Sequence, residues 1–356
     1  MRILLSGYYG FRNTGDESVL AGIIEGLRRR LPGVELCVLS GDPPATAAEY
    51  GVAAADRWRT PVIWAELRRA DFFIQGGGSL LQDVTSPQSP LYYLGLLHLA
   101  RLARTPYMIF AQGIGPLRSS FLRGVTVRNV RRAQAVTVRD DDSAQMLREW
   151  GLRRPEVTVT ADPGLLVAPT GEARRQQLLC QLDLAPGQPY IVIALREWPG
   201  LQDFLPHLVE LLRRREEALL VLPFQFERDL PLALDLSRVL PNRVHLPRDL
   251  LGPADSVAVI QGARAVIGMR LHAMIFAAAV QTPALALAYD PKVDVFARRA
   301  GQPVLQLDEV TPERLAQCLA ESLAACDRDQ ASSRLADLKQ AAERNFDVLL
   351  AALPAR

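Results

Sequence analysis

The chain has 356 residues, is 49% hydrophobic and 22% charged, and carries a formal net charge of +2. That length suits two cores, and the near balance of charge gives no global argument for a nucleic-acid partner. No apolar run reaches the roughly 18 residues that span a membrane, and Met1-Arg2 leads straight into an apolar strand with no signal peptide in between, so a cytoplasmic location is expected.

Strand-like apolar runs alternate with helical patterns along the chain. The expected strands of the first half are Arg2–Ser6, Glu35–Leu39, Phe72–Gln75, Tyr107–Ala111, Ala135–Val138 and Val157–Ala161. Those of the second half are Tyr190–Leu195, Ala218–Pro223, Arg243–Leu246, Ala265–Ile267, Ala284–Ala288 and Pro303–Gln306. Three-to-four-residue apolar spacing between them marks helices, for example Glu17–Leu31 and Leu201–Arg214. Such alternation means parallel sheets with crossover helices, and the strands are too many for one sheet. Two doubly wound, Rossmann-like α/β domains with a cleft between them are therefore expected, broken at the proline- and glycine-punctuated stretch Pro163–Gly171. The expected bounds are 1–168, 169–330 and a C-terminal helix, 331–356, that returns to the first domain.

Arginine supplies almost all the positive charge, since Lys292 and Lys339 are the only lysines. Cys37, Cys180, Cys318 and Cys326 have neither CxxC spacing nor histidines at metal-ligand spacing. They read as buried or incidental thiols in a reducing compartment, and no metal and no cofactor are expected.

The informative stretches lie at strand ends. Gly7-Tyr8-Tyr9-Gly10-Phe11-Arg12-Asn13-Thr14-Gly15-Asp16-Glu17 joins the first strand to the first helix, with glycines that let the backbone approach a ligand. The spacing is not GxGxxG, so it is no dinucleotide fingerprint. Asp16 and Glu17 suit the helix dipole, which would be a purely structural role. They would also repel a phosphate and suit sugar hydroxyls. Gly76-Gly77-Gly78-Ser79 and Gln112-Gly113-Ile114-Gly115-Pro116 are two further glycine turns after strands. Each alone reads as chain reversal; three in one domain read as a ligand-lined edge, with Tyr9, Asn13, Gly77 and Gly78 facing substrate. Arg139 and Asp162, at two more strand ends, can simply pair with neighbours.

In the second half, Gly268-Met269-Arg270-Leu271-His272 links a strand to an apolar, alanine-rich helix. The helix start favours an anion, and Arg270 adds a planar fork that grips a carboxylate or phosphate. Histidine is the side chain whose ordinary pKa lies near neutrality, so His272 adds a proton donor. A structural ion pair for Arg270 and a satisfied structural imidazole for His272 are the competing readings. His98 and His207 fall in helical patterns and His245 in a strand, where a structural role is expected.

Taken in order, these motifs, with Val138-Arg139-Asp140 and Ala161-Asp162-Pro163, resemble the polysaccharide pyruvyl transferase family, in particular its CsaB-type cell-wall enzymes, over about residues 3–295. The resemblance implies a GT-B-like fold and phosphoenolpyruvate as donor. It further implies a pyruvate ketal as product, commonly 4,6-linked on N-acetylmannosamine in a cell-wall glycan. By resemblance Arg270 and His272 supply the donor-binding arginine and the acid, and a second family arginine falls on Arg196; Leu271, between the first two, is expected to line the donor as well. Phosphoenolpyruvate bears two anionic groups, so Lys292 is a further candidate grip, and Asp16 or Glu17 would accept the hydroxyl proton. The expected partner is an amino-sugar-containing glycan precursor. If that precursor is lipid-linked, the protein works near the inner face of the membrane. Two rival readings stand beside this one: a nucleotide-sugar glycosyltransferase on the same fold, with Glu227 as a nucleoside-binding carboxylate, and a non-catalytic glycan-binding protein.

Overall fold

The computed structural model describes residues 1–83, 88–324 and 328–354; Cys326 lies outside them. The chain divides into two compact units. The first comprises Met1–Phe11, Asp16–Leu166 and the residues from Lys339 on; the second comprises Arg12–Gly15 and Val167–Leu338. Against the expected continuous first domain, four residues of the first glycine loop group with the second unit.

The first unit carries a wholly parallel sheet of β1 (Arg2–Ser6), β2 (Glu35–Ser40), β3 (Ala53–Asp56), β4 (Phe72–Gly76), β5 (Tyr107–Gln112), β6 (Ala135–Val138) and β7 (Val157–Val159), in the order β3-β2-β1-β4-β5-β6-β7. Its strands are buried on both faces, as crossover helices require. Leu4, Phe73 and Ile109 point into one core, Ile3, Leu5, Ile74 and Phe110 into the other. The last helix, Arg328–Ala352, adds Phe346 to the second of these cores, and its buried Asn345 accepts from the Thr137 hydroxyl at 2.6 Å and donates to Ala161 O at 2.9 Å. The strand missed from sequence is β3, Ala-Ala-Ala-Asp, a short edge strand with none of the β-branched or aromatic residues that mark strands.

The second unit carries a second parallel sheet of β8 (Tyr190–Ala194), β9 (Ala218–Val221), β10 (Val244–His245), β11 (Ala265–Gly268), β12 (Ala284–Ala288) and β13 (Val304–Gln306), in the order β10-β9-β8-β11-β12-β13. In each sheet the strand order reverses once, between β1 and β4 and between β8 and β11. Ligands of open α/β sheets sit outside the carboxyl ends of the strands at that reversal. The glycine loops after β1 and β4 flank the first such point, and Arg196 and Arg270, which follow β8 and β11, flank the second.

Among the described residues Cys37 and Cys318 are buried, Cys180 is exposed, and all three are free thiols. No helix among them is long and apolar enough to cross a membrane.

Candidate functional site

In the second unit, β8 and β11 end together, with Met269 N donating to Ala194 O at 2.9 Å. Arg270 is the residue before the helix Leu271–Ala279. Its Nη2 pairs with Asp229, and both side chains are nearly buried. Asp229 is fixed in turn by the backbone N–H groups of Phe224 and Gln225, each at 3.0 Å. Arg196 Nη1 donates to the Tyr289 hydroxyl at 2.8 Å, and its guanidinium lies 5.0 Å from the Tyr289 ring centre and 5.8 Å from that of Trp198. Among the described residues no carboxylate pairs with Arg196. In both arginines Nε is buried and meets no acceptor. A buried charged donor without an acceptor is costly.

Leu271 is buried at the first helical position, so what it offers an anion is its backbone N–H. His272 is half-buried, with its ring 6.3 Å from that of Phe276. Against it lies the segment 12–15. Thr14 N donates to Phe224 O at 2.9 Å, its hydroxyl to Leu251 O at 3.0 Å, and Arg12 pairs with Asp249 and, at 3.1 Å, with Glu227. Gly15 abuts Nδ1 of His272 so closely that an added methyl group would collide with it. Asn13 Oδ1 accepts from Gly15 N at 3.1 Å, capping the helix Thr14–Arg30. Asn13 itself groups with the second unit, where a place in the first was expected. Lys292 shares its ammonium with Asp290 at 3.1 Å. His245 Nδ1 meets Leu182 O at 2.8 Å, a structural role; His207 instead lines a cavity of about 770 Å³. Asp203, Asp290, Asp294 and Asp308 line that cavity, with Trp198 and Tyr289, so it does not suit an anion.

In the first unit, Tyr9 is 1% exposed and its hydroxyl donates to Gly76 O at 2.9 Å. The expectation of a substrate contact is corrected: the ring fills the space left by the missing side chain of Gly7 and ties the two glycine loops together from inside. Glu17 is 7% exposed, with Oε1 accepting from Gly10 N at 2.7 Å and Oε2 from the Tyr50 hydroxyl at 2.9 Å. Burial pushes its carboxyl up to about 7, against the opposing pull of those two donors. Both oxygens are spent on the loop, which leaves Asp16, half-buried, as the carboxylate nearer solvent. Gly77 and Gly78 are buried with positive φ, and the helix Thr14–Arg30 packs Val19 on the first and Asp16 on the second. Their role is close approach of helix to loop. Arg139 and Asp162 do pair, at 3.4 Å, and Arg139 also donates to the Ser79 hydroxyl at 2.8 Å.

A family model described as polysaccharide pyruvyl transferase matches residues 13–291. The chain belongs to the polysaccharide pyruvyl transferase family. It is 22% identical over 372 residues to the amylovoran biosynthesis protein AmsJ of Erwinia amylovora, covering 86% of this chain and 88% of that one. Its fold is that of GT-B glycosyltransferases and epimerases. It is similar to Anabaena HepE solved with UDP-glucose (TM-score 0.62, 14% identity, 98% of this chain and 96% of that one). A Rickettsia africae glycosyltransferase is similar too (TM-score 0.66, 11% identity, 100% and 99%). So is the Neisseria meningitidis UDP-GlcNAc 2-epimerase bound to UDP-GlcNAc (TM-score 0.65, 13% identity, 99% and 100%).

The first unit also has a cluster that the sequence did not reveal. Arg57, 2% exposed, follows β3 and donates to Gly7 O at 2.6 Å and to the Tyr93 hydroxyl at 3.1 Å. Its guanidinium lies 4.9 Å from the ring of Phe11, 5.1 Å from Trp58, 4.5 Å from Tyr92 and 5.5 Å from Tyr93. Trp58 is 63% exposed beside it. The result is an aromatic platform at the ligand edge of the first sheet, stiffened by cation–π contacts. The signal available was Arg57-Trp58 and Tyr92-Tyr93, but nothing in their spacing pairs them.

Proposed function

We propose that the chain transfers pyruvate from phosphoenolpyruvate to two hydroxyls of one sugar in a cell-wall or surface polysaccharide precursor, as a ketal, and releases phosphate. The observation that carries this reading is the placement of Arg196 and Arg270 directly after β8 and β11, at the strand reversal of the second sheet. A donor with a carboxylate and a phosphate offers an anionic partner to each guanidinium. Lys292, already shared with Asp290, is the weaker third grip.

In this mechanism His272 gives a proton to the methylene carbon of the enol. Positive character then develops at the central carbon, and a sugar hydroxyl attacks it. Phosphate leaves and the second hydroxyl closes the ketal. One proton reaches the new methyl group, and the two hydroxyl protons recharge His272 and neutralise the departing phosphate. Asp16 relays the first of them. No step calls for a metal. The acceptor's pyranose rings lie on the platform of Phe11, Trp58 and Tyr92, whose flat apolar faces suit the C–H faces of sugars. A 4,6-ketal on an N-acetylmannosamine-type residue is the product the family resemblance favours.

The bound UDP-glucose and UDP-GlcNAc of the solved relatives motivate the rival, a nucleotide-sugar donor. Its expected carboxylate, Glu227, is exposed and paired with Arg12. Heating the protein with phosphoenolpyruvate and with UDP-sugars in separate runs decides between the two, because only the true donor raises the melting temperature. Phosphate release on adding N-acetylmannosamine glycosides then tests the acceptor.

A further inference from the structure

We propose that the outer face of the helices Gln88–Ala103 and Ser120–Val130, in the first unit, docks on an anionic lipid bilayer. The chain as a whole balances 41 basic against 39 acidic residues, yet between Asp83 and Asp140 it has eight arginines and no aspartate or glutamate. These two helices pack side by side. All the arginines of the stretch except Arg139 reach solvent, and among the described residues none of those others forms an ion pair. Elsewhere the surface arginines are commonly paired, for example Arg29 with Glu343 and Arg174 with Asp255.

The same face exposes large apolar side chains. Leu91 is 51%, Leu102 59% and Phe121 71% exposed. Leu91, His98 and Leu102 are spaced to share one face of the first helix, and Phe121 and Arg128 share one face of the second. Between the ends of the two helices, His98, Arg101, Arg104 and Arg132 line a cavity of about 400 Å³ with no carboxylate on its walls. Basic residues in a last helical turn complement the helix dipole. That accounts for some of these arginines, but neither for the acid-free stretch nor for the exposed leucines and phenylalanine. Exposed arginines on the same two helices as protruding apolar side chains match a bilayer interface, where the cations meet headgroup phosphates and the apolar groups enter the acyl boundary. The two exposed leucines on the helix Gln88–Ala103 favour an acyl boundary over a nucleic acid, whose bases would engage chiefly Phe121.

The test is co-sedimentation of the full chain with phosphatidylcholine vesicles, with and without phosphatidylglycerol. Binding needs neither substrate, so its outcome is independent of the donor reading. The expected result is capture by the mixed vesicles only, weakened by salt. The triple variant Arg101→Glu, Arg104→Glu, Arg132→Glu should bind at least about a hundredfold more weakly, at roughly fivefold for each arginine removed. Phe121→Ser should weaken binding severalfold while salt sensitivity persists. A charge-matched control, Arg213→Glu, Arg214→Glu, Arg238→Glu on the second unit, should bind as the wild type does. Melting temperatures confirm that each variant is folded. Failure of the wild type to bind the mixed vesicles overturns the proposal, as does an equal loss in the control. Duplex DNA binding as tight as vesicle binding, with Phe121→Ser neutral, would make this a general polyanion surface instead.

Discussion

Arg270 separates a donor grip from a structural ion pair, and its surroundings fix what each predicts. The guanidinium has five N–H donors. Nη2 is committed to Asp229, and Nε is buried with no acceptor. Asp229 keeps two backbone N–H donors of its own, from Phe224 and Gln225 at 3.0 Å. Breaking a buried pair typically costs about 3–5 kcal/mol of stability. For Arg270→Ala the low end, about 3 kcal/mol, is expected, because those two N–H groups still hold the remaining carboxylate. Arg270→Lys keeps the charge but loses the fork, and should weaken phosphoenolpyruvate binding by about 1.5–3 kcal/mol, roughly ten- to a hundred-and-fifty-fold in Kd. Asp229→Asn is the control: it should lower stability yet leave Arg270 to bind the donor. The assay is calorimetric titration of phosphoenolpyruvate into each variant, alongside its melting temperature without ligand. If Arg270→Ala lowers the melting temperature but leaves donor Kd unchanged, the arginine is structural and the donor site lies elsewhere.

Four further outcomes are expected. His272→Asn should lower kcat by about 10²–10⁴-fold with a much smaller change in donor affinity, and near-normal turnover would assign the proton to another group. Gly15→Ala places a methyl group against Nδ1 of His272, so turnover should collapse while the melting temperature moves little; an active Gly15→Ala enzyme would show that the imidazole need not rest there. Asp16→Asn should raise the acceptor's KM or lower kcat and leave donor binding intact, which substrate titrations check. Glu17 is held at about 7 against an ordinary 4.5, so the folded state favours its protonated form. Its contribution is therefore fully present below about pH 4.5 and lost as the pH climbs towards 7, a decline on the order of 3 kcal/mol. Melting curves from pH 5 to 8 should show that decline in the wild type and not in Glu17→Gln; parallel profiles for the two proteins would contradict it.

Strand positions were legible because burial on both faces forces continuous apolar runs, and β1, β6 and β12 lie where those runs lie. The edge strand β3 needed no such run and was invisible. The candidate site was legible only as backbone position. Spacing placed Arg196 and Arg270 after two strands, and strand order made those strands neighbours at a reversal. What spacing does not carry is the direction a side chain takes on leaving a glycine turn. Tyr9 turns inward because Gly7 leaves room for its ring, and Glu17 turns back to close the loop on Gly10. Tyr8, by contrast, stacks on Phe11 with ring centres 4.3 Å apart, beside the Arg57 platform. Three neighbouring polar or aromatic residues of one motif thus separate into a brace, a clamp and a wall of the platform. The missing Cβ of a single glycine decides the first, and a buried carboxylate at the helix start decides the second. Residue type and order point to an edge of the sheet; which atoms face the ligand there is set by the packing beneath it.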